Sequence, residues 1–213
     1  MIEYEYTNKC VTHNLNTMAY EARKFKLEKI KGISEDQIKV HLGLYEGYVK
    51  HVNLLMTQMN KLASSGDEFE YSVSELRRRL GFEWNGMHLH ELYFEALEGG
   101  SKVLLGNSKL YEGLSQQYGS FSKWLEIFTK FSARGPGWAL LTYDPNISHF
   151  HHVWAADHEV GQLATLPVII ALDHWEHAFM VDYKPSEKGL YVEAYLNAMN
   201  WETVSKRFDV VAK

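Results

Sequence analysis

Asp173 and His177 are the residues of this chain whose types and spacing first suggest chemistry. A carboxylate and an imidazole four positions apart can lie on one side of a helical turn or tight loop, close enough to share a metal ion. A pair at this spacing is more commonly a surface contact between neighbouring helical turns. The preceding residues argue otherwise, because Leu166 to Leu172 is an apolar run that predicts a buried strand delivering Asp173 to its end. A carboxylate placed there needs a partner. Two side chains do not fill a metal's coordination shell, so further ligands must come from elsewhere in the chain.

The composition sets the outer bounds. With 213 residues, 46% hydrophobic and 23% charged, the chain is an ordinary globular sequence, long enough for a substantial core. Its longest apolar run is about seven residues, too short for a membrane helix. Met1 to Arg23 lacks the pattern of a secretory signal. Cys10 is the single cysteine, which excludes an internal disulfide and a thiolate-type zinc site and fits a reducing compartment, so the expected location is cytoplasmic. A net charge of −5, with no basic block interleaved with aromatics, argues against nucleic acid as a partner. Local fields can still favour a small anionic substrate. Eleven histidines are permissive of metal chemistry.

The elements that must position Asp173 and its partners follow from periodicity and caps. Residues 1–28 mix charge, Asn and Tyr without a period and read as an N-terminal arm. Ser34 with Gln37 predicts a capping box opening a helix through Ile38, His41, Leu44, Tyr48, Val52 and Met56, ending before Ser64. His41 falls on its inward face, where a lone histidine is ordinarily a satisfied core residue. Ser72 with Glu75 predicts a second box and a short helix ending at Leu80-Gly81. A third helix is expected from Asn85 to the Gly99-Gly100 stop. It carries His88 and His90 on different sides, so both cannot easily bind one ion. Val103 to Gly106 reads as a linker, and Ser108 to Gly119 and Ser120 to Ala133 as amphipathic helices. The strand entered at Gly135 turns at Asp144-Pro145-Asn146 and returns from Ser148 to Ala155; so short a connection predicts an antiparallel hairpin. His149, His151 and His152 on the returning strand could bind zinc, but read better as surface or rim histidines. Glu187 to Met199 is a further helix.

Five separated stretches, together spanning about residues 30–208, resemble the iron/manganese superoxide dismutases. Asp173-His174-Trp175-Glu176-His177-Ala178-Phe179, with Tyr183 beyond it, resembles the family signature D-x-W-E-H-A-[YF]. The run from Ile33 to His41 is similar to the segment leading to the family's first ligand histidine, and Tyr48-Val49 to its Tyr-Val pair. Asn85 to Phe94 resembles N-G-G-G-H-x-N-H-x-x-[FY]-W, which implies His90 as a ligand. Gly135-Pro136-Gly137-Trp138 and Asn200-Trp201 to Phe208 resemble G-S-G-W and the N-W-x-x-V-x-x-R-[YF] tail.

The resemblance implies an enzyme: a superoxide dismutase disproportionating superoxide to dioxygen and hydrogen peroxide, with one iron or manganese ion per chain held by His41, His90, Asp173 and His177. It further implies Tyr48 as the cavity tyrosine that relays protons, and His158, fifteen residues before Asp173, as the group hydrogen-bonding the metal's solvent ligand, with Gln162 as competitor. Trp138 and Trp175 would wall the site, and Glu176 would lie at the interface of a homodimer or tetramer. The implied fold class is α+β: an N-terminal antiparallel helical hairpin (29–102) followed by a C-terminal α/β portion with a small antiparallel sheet (103–213). Three departures stand out. His41 and Tyr48 are seven apart where the family has eight, the family's second helix histidine would fall at Leu44 or Tyr45, neither of which is His, and Met180 stands where Tyr is common. These leave another non-haem metal redox activity, or a non-enzymatic relative, as the alternatives.

Overall fold

The computed structural model describes residues 19–212. Helix α1 spans Glu35–Ala63, and the Ser34 hydroxyl accepts from the Gln37 amide (3.1 Å) at its start. Gln37, His41, Tyr45, Val49 and Val52 form its buried stripe, the three-to-four spacing of an inward helix face. The expected capping box is only half made, because the Gln37 side chain reaches across to another element. Helix α2 spans Glu70–Glu95 after one 3-10 turn, Asp67–Phe69. Cross-helix contacts run His41 to Phe94, Tyr45 to Glu91, Tyr48 to His90 and His51 to Glu83, one number rising as the other falls. The pair is therefore antiparallel, as expected.

The division of α2 into two helices at Leu80-Gly81 is overturned: the helix is continuous, and Ser72 lies inside it. A glycine in a helix interior costs only about 1 kcal/mol relative to alanine. Arg79 spans the expected break, pairing with Glu83 and lying over the Phe82 ring. Burial of Met87, Leu89, Tyr93 and Phe94 against the rest of the core outweighs the local preference.

The part of the arm that lies within the described residues is extended and docked. Arg23 N–H donates to the Tyr45 hydroxyl, Gly99 N–H donates to the Lys26 carbonyl, and Leu27 bridges Glu98. Residues 1–18 of the arm, with Cys10, lie outside the described residues.

Helices α3 (Lys109–Tyr118) and α4 (Phe121–Ser132) are capped by Ser108 and Ser120 and separated by left-handed Gly119. Strands β1 (Trp138–Asp144), β2 (His149–Ala155) and β3 (Val168–Asp173) form an antiparallel sheet in the order β2-β1-β3. The central strand is buried along all but its last residue, and Trp138 is paired with Asp173, so the two site residues share one end of the sheet. Helices α5 (Lys188–Ala198) and α6 (Trp201–Val211) complete the chain.

The tail motif explains how the two halves are tied. Asn200 caps α6 and donates to the Glu98 carbonyl (2.8 Å), while its N–H donates to the Ala96 carbonyl (2.7 Å). Arg207, largely buried, donates to the carbonyls of Ile169 (2.7 Å) and Leu92 (3.1 Å) and to Glu95 (3.1 Å), joining β3, α2 and α6.

Candidate metal centre

Strand β3 ends on Asp173, which is fully buried. Its Oδ1 accepts from the Trp175 amide (2.8 Å), which fixes the turn that follows. Its Oδ2 faces three imidazole Nε2 atoms: His177 at 3.0 Å, His41 at 3.1 Å and His90 at 3.5 Å. His41 comes from α1, His90 from α2, and His177 from the 3-10 turn Glu176–Ala178. The four ligand atoms lie within 4.8 Å of one another, the one such convergent group of three or more among the described residues.

The donor set fits a bound cation on one point in particular. His90 Nδ1 donates to the Gly86 carbonyl (2.6 Å), so the neutral ring carries its lone pair on Nε2. That atom is buried, has no hydrogen-bond partner, and faces a carboxylate oxygen. Lone pair against carboxylate is repulsive until a cation lies between them. Burial holds His90 well below the ordinary imidazole range and lowers His41 as well. Burial alone would raise Asp173, yet the charge and hydrogen bond of His177 and the bond from His41 outweigh it and hold the carboxyl well below its usual range. Neutral His41 and His90 beside an ionised carboxylate are protonation states that metal binding requires.

A ring of aromatic groups encloses the cluster. Tyr48 lies 5.1 Å, centroid to centroid, from His90 and 4.9 Å from His158, and Trp138 lies 5.0 Å from His90. Burial raises the Tyr48 hydroxyl above its ordinary value, and the Asp173 charge adds to the effect. His158 is buried, with both ring nitrogens unpartnered, and burial lowers its pKa.

Residues 106–207 match the family model for the iron/manganese superoxide dismutases, C-terminal domain. The chain is 33% identical over 183 residues to an iron superoxide dismutase of Saccharolobus solfataricus, covering 82% of this chain and 85% of the relative. It is 34% identical over 184 residues to an iron superoxide dismutase of Sulfolobus acidocaldarius, with the same 82% and 85% coverage. A relative from Aeropyrum pernix, named for manganese or iron, is 27% identical over 83% of each chain. The chain belongs to the iron/manganese superoxide dismutase family. Its α+β fold, with helices preceding a small antiparallel sheet, is that of the family.

Measured against the family pattern, the remaining candidate residues separate cleanly. The Gln162 amide donates to the His158 carbonyl (2.8 Å), as does Asn85 (2.7 Å), so Gln162 braces the loop and His158 alone turns its ring toward Tyr48 and His90. Trp175 is half-buried and its Nε1 is unpartnered, as is that of Trp138. Glu176 and Met180 are exposed. His88 bonds Glu91 (2.8 Å) and packs on Trp84, away from the cluster. On β2, His149 and His151 lie side by side, while His152 faces the opposite way and accepts from the Trp124 indole N–H (3.0 Å).

Sequence reasoning missed three positioning groups. Gln37 donates to the His177 carbonyl (2.6 Å) and accepts from the Val181 amide (2.9 Å), holding the ligand loop against α1. Its signal was present: a polar residue one turn before His41 on the same buried stripe. The Tyr191 hydroxyl donates to the Asp173 carbonyl (2.8 Å) and meets the Tyr93 hydroxyl at 3.2 Å. At Gly86, an added Cβ would fall 2.7 Å from Tyr48 and 2.8 Å from His158, so only glycine leaves both rings in place.

Proposed function

We propose that this chain is a superoxide dismutase whose single iron or manganese ion is held by His41, His90, Asp173 and His177. The observation that carries the reading is the convergence of three imidazole nitrogens on one buried carboxylate oxygen, with the His90 lone pair left without any protein partner. Such an ion supplies one-electron redox chemistry, alternately oxidising one superoxide and reducing another.

The chain's own residues do the rest. Asp173 supplies the negative charge that favours the higher oxidation state, and its carbonyl bond from Tyr191 fixes its direction. The Gly86 carbonyl holds the His90 tautomer, which keeps Nε2 as the donor atom. Tyr48, its hydroxyl kept protonated by burial, can hand on a proton at its phenol oxygen. His158, its pKa lowered by burial and its ring packed edge-on against Tyr48, would be the outer group that hydrogen-bonds the metal's solvent ligand. Trp138 and Trp175 exclude bulk water.

A homodimer or tetramer belongs to the same reading. Val40 and Leu44 on α1, and Met180 and Val181 on the loop it touches, are large apolar side chains that are exposed, as is Glu176. The division into a hairpin part ending near residue 102 and a C-terminal part is also proposed here, each part giving two ligands. Among the described residues no helix is long and apolar enough to cross a membrane; a cytoplasmic location is part of the proposal.

Elemental analysis of the purified protein, paired with a superoxide-consumption assay before and after His90→Ala, tests it. Near-stoichiometric iron or manganese with activity lost in the variant is the expected result and names the metal. Metal without dismutation would move the activity to other redox chemistry on the same ligands. No iron or manganese after reconstitution would end the enzyme reading.

A further inference from the structure

The proposed reaction needs a route by which a small monoanion reaches a buried centre in a protein whose net charge is −5. The stacked side chains beside Tyr48 outline one. Tyr48 and Phe82 are half-buried, and beneath them His158 and His90 are buried. Phe82 lies 4.6 Å from His158 and 6.2 Å from Tyr48, centroid to centroid, and the exposed Arg79 places its guanidinium carbon over the Phe82 ring, 3.5 Å from the centroid. By exposure the order from solvent inward is therefore Arg79, then Phe82 and Tyr48, then His158 and His90.

We propose that Arg79 and Phe82 form the anion entrance of this site, with the guanidinium drawing a small monoanion to the mouth and the Phe82 ring admitting it past Tyr48 and His158. The proposal rests on the superoxide dismutase reading and deepens it by naming where the substrate enters. An ordinary surface pair of Arg and Glu one helical turn apart swings freely and contributes little. Here the pair is held. Glu83 is buried, its Oε1 takes both Nε (3.2 Å) and Nη2 (3.1 Å) of Arg79, and its Oε2 lies 3.3 Å from His51 Nδ1. The cation is thus fixed in a plane over the ring, with Nη1 left without a protein partner among the described residues. A planar donor fixed at a mouth binds an anion with less ordering than a mobile lysine does. Glu83 offsets part of the positive charge, so removing its charge changes the field in the opposite sense to removing that of Arg79. Arg77, exposed on the same helix and in no ion pair among the described residues, carries the same formal charge without the stack.

The test uses the metal-loaded protein and azide as the probe, followed by the change in visible absorption of the loaded site, alongside superoxide consumption across ionic strength. At low salt, Arg79→Gln lowers azide affinity and kcat/KM for superoxide about fivefold, and Glu83→Gln raises both about twofold. Arg77→Gln changes neither by more than about 1.5-fold, and all differences shrink above roughly 0.5 M salt. Arg79→Lys recovers part of the loss. Equal effects of Arg79→Gln and Arg77→Gln would reduce Arg79 to one share of a general field and overturn the proposal. Unchanged azide affinity in Arg79→Gln would also overturn it, placing the entrance on the side of His177, whose side chain is 20% exposed. A loaded protein that binds azide with this ranking yet fails to dismutate would refute the functional reading and leave the entrance standing.

Discussion

Gly86 lies in the middle of α2, directly beneath Tyr48 and His158, and Gly86→Ala separates two effects that glycine substitutions usually mix. Alanine in a helix interior is favoured over glycine by about 0.5–1 kcal/mol. At Gly81, five residues earlier in the same helix, nothing lies within 4 Å of an added Cβ, so that gain is realised in full. At Gly86 the new methyl meets Tyr48 Cδ1 at 2.7 Å and His158 Cε1 and Nδ1 at 2.8 Å. Both rings must move, and overpacking of this kind costs about 1–3 kcal/mol. The net expectation for Gly86→Ala is a loss of about 1–2 kcal/mol, lowering the thermal midpoint by about 2–8 °C for a chain of this size. Gly81→Ala raises it by about 1–4 °C. Activity separates the two further, because Gly86→Ala displaces the proposed proton donor and its neighbour and lowers kcat at least about tenfold. Gly81→Ala leaves it unchanged. Thermal melts with superoxide assays on both variants give the comparison, and the double variant Gly86→Ala/His158→Ala completes a cycle. Removing the imidazole vacates the space the methyl needs, so the stability cost of Gly86→Ala shrinks in that background. A Gly86→Ala protein as stable and as active as the wild type, or a penalty unaffected by His158→Ala, would refute the packing argument.

Three further outcomes follow from the same structure. Burial lowers the pKa of His41, His90 and His158, of His152 to about 4 and of His174 to about 3. A histidine lowered on folding contributes stability that is full above its unfolded value near 6.5 and falls as pH drops toward the folded value. Each therefore removes about 1.4 kcal/mol per pH unit in that window. Urea titrations of the metal-free protein should show steep destabilisation below about pH 6.5, with the loaded protein resisting further into acid; flat stability from pH 7 to 5 would contradict the burial of these rings. Arg207→Met leaves Glu95 and two carbonyls without their donor and should cost about 3–5 kcal/mol in urea unfolding, a loss under 1 kcal/mol showing the link to be dispensable. Gln37→Ala releases the His177 loop from α1 and should weaken metal affinity about tenfold in chelator competition, an unchanged affinity ruling out its positioning role.

Three members of the candidate cluster sit beside a local signal in the sequence, while His90, and the choice of His41 as a ligand, came from the family resemblance. Asp173 ends an apolar run, His177 follows at a turn spacing, and His41 falls on the periodic face of α1. The same signals misplaced the start of α2. Ser72 and Glu75 look like a cap, but a cap matters only where the helix needs to begin, and packing of Val73 and the Arg79 bridge across Gly81 carry the helix through. Long-range contacts left no such trace. Gln37 satisfied a local pattern in the sequence and spends its side chain on residues 140 and 144 positions away. The role of Tyr191 depends on a hydroxyl meeting a carbonyl 18 residues earlier, which no periodicity encodes.

The one-residue contraction between His41 and Tyr48 is the departure with the clearest physical resolution. A spacing of eight would need an extra residue within the turn to keep both side chains on one face, whereas seven falls on two whole turns of a regular helix. Helix α1 is uninterrupted from Glu35 to Ala63, and His41, Tyr45 and Tyr48 lie at i, i+4 and i+7 on one face. The contraction therefore keeps Tyr48 over the site, 5.1 Å from His90 by ring centroids. What changes is the residue between them. Tyr45, one of the two positions where the family's second helix histidine would fall, is fully buried, its hydroxyl donating to Glu91 (3.0 Å) and accepting from the Arg23 amide (2.8 Å). Tyr45 thereby fastens the N-terminal arm to the helical hairpin. Burial also pushes the Tyr45 hydroxyl up to about 12, so it carries no charge change at neutral pH. Proton delivery in the proposed mechanism then falls to Tyr48 and His158, the two rings that Gly86 leaves room for.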